Sequence, residues 1–413
     1  MCTNMLFQAP LVPGKHERLH VSARVMELAG FDEAVIYKIP RNQSFPLTGG
    51  HETGLHKWIN RYGFLGVAAP RPLFEKVSTF VDGINETGLS CAALWFAGVE
   101  YPKPSEEVPN LRVADFVGWV LGNFAKVIDL EDALAHHDKI HVFGPALDDR
   151  GLLDLELHFI ATDHAGMSVV VEFAQGHMKV FGQAHEVYDK LHHRGLGATV
   201  GGVLTNTPSY DWQRTNLAQY SNLTPFGPVF GPGHSGSTYP APAAGLVGLP
   251  GDPTSASRFV RAAVMQYAYS KLAKDGDQWL PAPWLHKNGK WVGYNYAEPV
   301  QALVNIALQA VQIVMGTPYG YLLANPKSSE PDAHPALGEW SNWTVVRDHT
   351  NKTLYYTDAF NSLLQAVDLG KLNFEESANK FDYPSIPLFP RMVPHKWYHD
   401  VTESLASDAL ASV

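Results

Sequence analysis

Cysteine is nearly missing from this chain: 413 residues carry two, Cys2 and Cys91. Two thiols cannot build a disulfide framework or a cysteine zinc cluster. Basic residues are short as well. Thirty-one Lys and Arg against 41 Asp and Glu leave a formal charge of -10, which repels a phosphate backbone, and no basic run interleaved with aromatics offsets it. Nucleic acid is therefore excluded as a partner. Long apolar runs are lacking too. The most apolar stretch, residues 302–315, is too short to span a bilayer, and it carries Asn305, Gln309 and Gln312 at helical spacing. That pattern predicts a helix buried over most of its circumference, not a membrane anchor. Before Lys15 there is neither a basic segment nor an apolar signal core, so the chain as given is expected in the cytoplasm, or in the periplasm or outside the cell if a leader was removed. No phosphate-binding Gly-Lys-Ser/Thr occurs, and Gly195-Leu196-Gly197 lacks the spacing of a dinucleotide loop.

What is present reads as one globular domain over 1–413, 45% hydrophobic and 17% charged, with no break that demands a second. Strand patterns occupy residues 19–28 (LHVSARVMEL), 33–39 and 58–69, and the continuous apolar run 88–96 predicts a strand buried on both faces. In the first of these, Arg24 and Glu27 fall on opposite pleats unless a bulge turns them together. Apolar residues at 113, 116, 117, 120, 121 and 124 predict an amphipathic helix, and a short one follows at 130–136 with Asp129 as its cap. Residues 155–161 and 167–173 flank hairpin chemistry, and 177–181 alternates as a third antiparallel strand. Residues 225–253 predict a long surface loop, ended by a serine cap at 254–257 and a helix with Phe259, Val260, Ala263, Val264 and Tyr267 on its apolar face. Residues 343–347 and 354–357 predict another hairpin. After Phe381, four closely spaced prolines predict an extended arm without regular structure.

The two cysteines differ in setting. Cys91 lies in the apolar run 90–96 and reads as a buried small hydrophobe. Cys2 follows the initiator methionine, and loss of Met1 would leave its α-amine free on the residue that carries the thiol. An α-amine titrates near pH ~8 and a free thiol near ~8.5, so the two can exchange a proton at neutral pH with no histidine as general base. Position alone also allows a cysteine placed beside the start by accident. Competing constellations are weaker. The stretch 233–237 (GHSGS) lacks the last glycine of a serine nucleophile elbow and sits among prolines. The adjacent pairs His136-His137 and His192-His193 point their rings apart on any regular element and cannot share a metal. Glu106-Glu107 lies between prolines and reads as a charged loop.

Cys2, Arg24, Glu27, Asn206 and Arg258 belong together through a resemblance. The start MCTN, the strand ending ARVMEL, NETGLSCAALWF, VLTNTPSYDWQRTNL, GLPGDPTSASRFVRAA and TVVRDHTNKTLYY are similar, in order over most of the chain, to the choloylglycine hydrolase family. That family holds bile salt hydrolases and penicillin V acylases, within the N-terminal-nucleophile hydrolases. The resemblance implies an α+β fold, a four-layer αββα sandwich of two mainly antiparallel sheets with helices outside. It also implies Cys2 as nucleophile, Arg24 beside its sulfur, the carboxylate of Glu27 beside the free amine, and Arg258 as an active-site cation. The oxyanion donors would be the side chain of Asn206 and the backbone N–H of Trp95. Read from the residues alone, Arg24 and Arg258 could form ordinary buried ion pairs, and Asn206 could be a turn residue before Pro208.

Glu27 departs from the aspartate usual in the family. Trp95 stands where bile salt hydrolases tend to have Asn and many penicillin V acylases Tyr, which suggests an aromatic wall for an apolar acyl group. The implied reaction is hydrolysis of a linear amide through a Cys2 acyl-enzyme without a metal or organic cofactor. Penicillin V or N-acyl homoserine lactone acylase activity is the first expectation, conjugated bile salt hydrolysis the second. A rival of another class is a silent binding protein whose amine stays blocked by Met1. Family members are usually tetramers, so a homo-oligomer is expected, with the proline-rich extension 381–413 packed on its own or a neighbouring subunit.

Overall fold

Two antiparallel sheets carry the site. The first orders the strands Cys2–Pro10, Arg18–Ala29, Glu339–Asp348, Thr353–Asp358 and Gln365–Asp368. The second orders His177–Gly182, Ser168–Ala174, Leu157–Thr162, Ser90–Trp95, Asp82–Asn85, Phe64–Ala68, Val35–Ile39 and Ser385–Pro387. The computed structural model describes residues 2–10, 17–29, 34–46, 54–68, 79–135, 139–144, 156–182, 201–224, 244–274, 284–287, 290–293, 299–315, 339–359, 361–375 and 385–388. Of the expected loop 225–253 only 244–253 is described, with a 3-10 turn at Ala244–Leu246; the elbow at 233–237, both histidine pairs and the tail beyond Leu388 lie outside the described residues.

Helices Ser255–Lys274 and Pro299–Met315 pack on the strands Cys2–Pro10 and Arg18–Ala29, while Phe116–Asn123 and Val127–Ala135 cover the second sheet. The order is helix, sheet, sheet, helix: the αββα sandwich. Side-chain alternation sorts the second sheet between two cores. Ala92, Leu94, Ile160 and Val170 join the core shared with the first sheet, while Cys91, Ala93, Phe159 and Val171 join the core under the helices. The apolar run around Cys91 is thus buried on both faces, as its composition predicts. On Pro299–Met315 the polar stripe Asn305, Gln309 and Gln312 is exposed and Leu303, Val304, Ala307 and Val311 are buried. No described helix is long and apolar enough to cross a membrane.

Several expectations are corrected by contacts that come from far along the chain. Residues 58–69 are not one strand but Trp58–Ile59 and Phe64–Ala68, because the N–H groups of Arg61 and Tyr62 turn away to Gly122 O. The helix expected to be amphipathic begins as a 3-10 turn at Val113–Asp115 and is buried on every side from Phe116 to Gly122. The next helix starts at Val127, so Asp129 lies within its first turn; Asp163, from the hairpin, accepts the Val127 N–H at 3.0 Å. The helix expected after a serine cap starts at Ser255. Its cap is Thr254, whose Oγ1 accepts from the Ser257 N–H at 3.5 Å, and Asp252 braces it, accepting from the Ser257 hydroxyl at 2.6 Å and the Thr254 N–H at 3.0 Å. The hydroxyls of Ser257 and Thr254 hold that carboxyl down at about 2. Prolines after 381 do not prevent Ser385–Pro387 from pairing with Val35–Ile39, since a sheet edge asks no ladder bond of proline's missing N–H.

Candidate active site

Cys2 opens a strand that the sequence patterns did not show. Its register pairs Cys2 with Met26 and Asn4 with Arg24, so these four side chains share the face turned to the second sheet. Cys2 is buried, and its Sγ lies 3.6 Å from Arg24 Nη2 and 3.6 Å from Met26 Sδ. Arg24 is fully buried and crosses between the sheets. Its Nη2 also donates to Ala93 O, its Nη1 donates to Asp82 Oδ2 at 3.0 Å, and its guanidinium lies 5.0 Å from the Trp343 ring. The planar fork is held on both edges and one face, which fixes the nitrogen that meets the sulfur.

Asn206 reaches the same point from a loop. Gly202 lets that loop approach: its φ is +84°, and a Cβ there would stand 2.2 Å from the Cβ of Leu6. Asn4 then clasps the loop, donating through Nδ2 to Gly202 O and exchanging backbone bonds with Leu204. Asn206 N–H donates to Ser255 Oγ at 2.8 Å, and Asn206 O accepts from Gln213 Nε2 at 2.6 Å. One residue earlier, Thr205 O meets His158 Nε2 at 2.8 Å, and His158 Nδ1 meets Glu172 Oε1 at 2.8 Å. With its backbone fixed, the Asn206 side chain links three partners. Its Oδ1 accepts from Cys2 N at 2.7 Å and from Arg258 Nη2 at 2.8 Å, and its Nδ2 donates to Trp95 O at 2.6 Å.

The edge of the strand Ser90–Trp95 completes the arrangement. Ala93 N–H goes to Val81 O on one side and Phe96 N–H to Glu156 O on the other. N–H groups alternate along a strand, so Trp95 N–H and C=O both leave by the edge that faces Asn206. The Trp95 side chain is 45% exposed and donates through Nε1 to Glu156 Oε2 at 2.9 Å. From the helix Ser255–Lys274, Arg258 is fully buried and donates through Nη1 to Cys2 O and Thr3 Oγ1, both at 2.6 Å. Arg24 and Glu27 do alternate as expected. Glu27 is 4% exposed and accepts from Ser341 Oγ at 2.9 Å, beside a bulge in the partner strand between Ser341 and Trp343. A surface hollow of about 700 Å³ bordered by Arg41, Arg61, Glu86, His164 and Lys352 contains none of these residues. Among the described residues no group of three or more His, Cys, Asp or Glu is placed to hold a metal.

A thiol at the first strand's start, a guanidinium at its sulfur and a carboxamide at its nitrogen are the parts expected of an amide-cleaving N-terminal cysteine. Residues 2–279 match a family profile described as linear amide C-N hydrolases, choloylglycine hydrolase family. The chain belongs to the choloylglycine hydrolase family. Among its relatives, a bile salt hydrolase/transferase of Clostridium perfringens is 33% identical over 279 residues, 67% of this chain and 74% of that protein. A penicillin V acylase of Pectobacterium atrosepticum is 27% identical over 386 residues, 92% of this chain and 85% of that one. A crystal structure of a conjugated bile acid hydrolase variant from Clostridium perfringens shares the fold, with TM-score 0.64 and 24% identity over 94% of this chain and 96% of that one. As a family member the chain is a hydrolase acting on linear amide C–N bonds.

Of the six residues singled out from the sequence, the structure joins five by direct contact: Cys2, Trp95 and Arg258 meet Asn206, and Arg24 meets the Cys2 sulfur, while Glu27 is bonded to Ser341 on the neighbouring strand. Sequence reasoning missed Asp82, Arg347, Ser255, Ser341 and Met26. Met26 and Ser341 had no chemical signature. Asp82 and Arg347 did, as charged residues inside apolar strand patterns, where a buried charge asks for a partner.

Proposed function

We propose that Cys2 is the nucleophile of a cysteine amidohydrolase that works through an acyl-enzyme, and that Met1 is removed in the active chain. The observation that carries this reading is the convergence of Arg24 Nη2 on Cys2 Sγ and of Asn206 Oδ1 on Cys2 N. With the α-amine free, it takes the thiol proton, Sγ attacks the amide carbon, and the negative oxygen is held by a second Asn206 amide hydrogen and Trp95 N–H. The amine passes its proton to the leaving nitrogen as the C–N bond breaks. A water then gives its proton to the amine and attacks the thioester, releasing the carboxylic acid and restoring the thiol. Glu27 orients the ammonium, and Arg258 holds Cys2 C=O and Asn206 Oδ1 so that the carboxamide cannot rotate.

For the acyl group, the exposed Trp95 ring beside Asn206 favours a flat apolar moiety, as in penicillin V or an N-acyl homoserine lactone. The likeness to the Clostridium bile salt hydrolase/transferase supports conjugated bile salts as the second reading. Penicillin V, glycocholate, taurocholate and an acyl homoserine lactone assayed side by side decide between them. Cys2→Ser should lose nearly all turnover on whichever is cleaved and keep its fold; full activity in that variant would sink the assignment. A homo-oligomer accords with the family, and light scattering at assay concentration tests it.

A further inference from the structure

Asp82 is claimed by two arginines at once. Its Oδ1 accepts from Arg347 Nε at 2.7 Å, its Oδ2 from both Arg347 Nη2 and Arg24 Nη1, and all three side chains are 0–1% exposed. Two cations and one anion leave one positive charge in the interior. Among the described residues, the neighbours do not cancel it. His349 donates from Nδ1 to Gly88 O and accepts at Nε2 from Ser22 Oγ, both at 2.8 Å; burial holds it down at about 3, so the ring is neutral. Ser22 Oγ and Asn4 Oδ1 accept from Arg347 Nη1 at 3.0 Å but carry no charge. Burial, and after it Asp82, pushes the Cys91 thiol up, so it is neutral too. Glu27 lies on the opposite pleat of the first sheet, bonded to Ser341, and Arg258 reaches Cys2 O from the helix Ser255–Lys274 packed on that face. Among the described residues, what remains against the cluster is Cys2 Sγ, 3.6 Å from Arg24 Nη2. A buried cation without a counter-charge is strongly destabilising, and the sulfur is the atom placed to supply one.

We infer that Arg347 is a positioning residue for the reaction: by sharing Asp82 with Arg24 it leaves one positive charge uncancelled at Cys2, and the Cys2 thiolate answers it. If Arg24 alone faced Asp82, the two would cancel and the sulfur would gain nothing from ionising. The thiol's proton moves to the α-amine of the same residue, where Glu27 balances it, so no other group changes charge. This inference rests on Cys2 as the nucleophile.

Alkylation of Cys2 by iodoacetamide at pH 7, located by peptide mass in the purified full chain, reads the sulfur's charge without a substrate. In the wild type, modification of Cys2 should remove turnover in proportion; persistent turnover overturns the nucleophile assignment itself. Arg347→Met leaves a cancelled pair and should slow alkylation about tenfold or more. Asp82→Asn leaves two cations and should not slow it. The double variant leaves Arg24 as a lone cation and should return to within about threefold of wild type. A purely structural role makes the double variant the slowest, because it has lost the most contacts. Unchanged alkylation in Arg347→Met, slowing in Asp82→Asn, or a double variant slower than Arg347→Met overturns the inference. Should Arg347→Met fail to fold, the other two variants decide: both near or above the wild-type rate support it, and either one tenfold below refutes it.

Discussion

Replacing Asn206 by alanine separates catalysis from packing, because the loop's backbone does not depend on that side chain. Asn206 N–H is held by Ser255, Asn206 O by Gln213, and Thr205 by His158 and Gln213. All these bonds survive the truncation. What disappears is Oδ1 between Cys2 N and Arg258, and Nδ2 opposite Trp95 O. Losing one oxyanion donor slows the chemical step about a hundred- to a thousandfold, or about 3 to 4 kcal/mol of transition-state stabilisation. KM should change little, since the charge being stabilised exists only as the carbonyl becomes tetrahedral. Stability should fall by about 1 to 3 kcal/mol, from buried partners left without their bonds. Asn206→Asp sharpens the test. It keeps an acceptor toward Arg258 but turns the donor into an acceptor facing Trp95 O and the developing oxyanion, so its rate should be no better than alanine's. The assay is single-turnover acyl-enzyme formation, normalised to folded protein from a thermal melt. A variant that melts earlier while each folded molecule turns over normally refutes the oxyanion role, even if Cys2 is the nucleophile.

The active chain should begin at Cys2, because an amide nitrogen lacks the basic lone pair that the mechanism uses; intact mass reads this, and full activity in material retaining Met1 would contradict it. Cys91→Ser should leave the mechanism untouched and cost at most some packing, checked by kcat and Tm together. His349 contributes to acid lability: it titrates near 6.5 when unfolded and about 3 when folded, so its stabilisation is complete above pH about 6.5. As pH falls from there toward about 3, the unfolded chain takes up a proton that the native chain refuses, and stability drops. His349→Asn should remove up to one proton from the slope of unfolding free energy against pH in that window, and an unchanged slope would show that the ring is not the group responsible.

Much of the layered architecture was legible in local pattern. Alternation in 155–182 and 343–357, the apolar run around Cys91 and the helical spacing of 302–315 are each produced by a face that must be buried, and a face of fixed period is written in neighbouring residues. Cys2 stood out for a different reason, since the proposed chemistry draws on its own amine and thiol once Met1 is removed. The family's motifs supplied Arg24, Glu27, Asn206 and Arg258, which no local pattern brings together. The tertiary structure decided what depends on distant partners. Helix starts moved because Asp163 caps Val127 from another element, and the strand at 58–69 broke because Gly122 O drew two N–H groups away. The charge state at the sulfur was likewise unreadable from the sequence: it depends on Asp82 meeting Arg347, 265 positions away along the chain, and Arg24 at the same carboxylate. A charge in a sequence is a single count, whereas its effect in a site depends on which opposite charge it must share, and only packing two sheets face to face settles that.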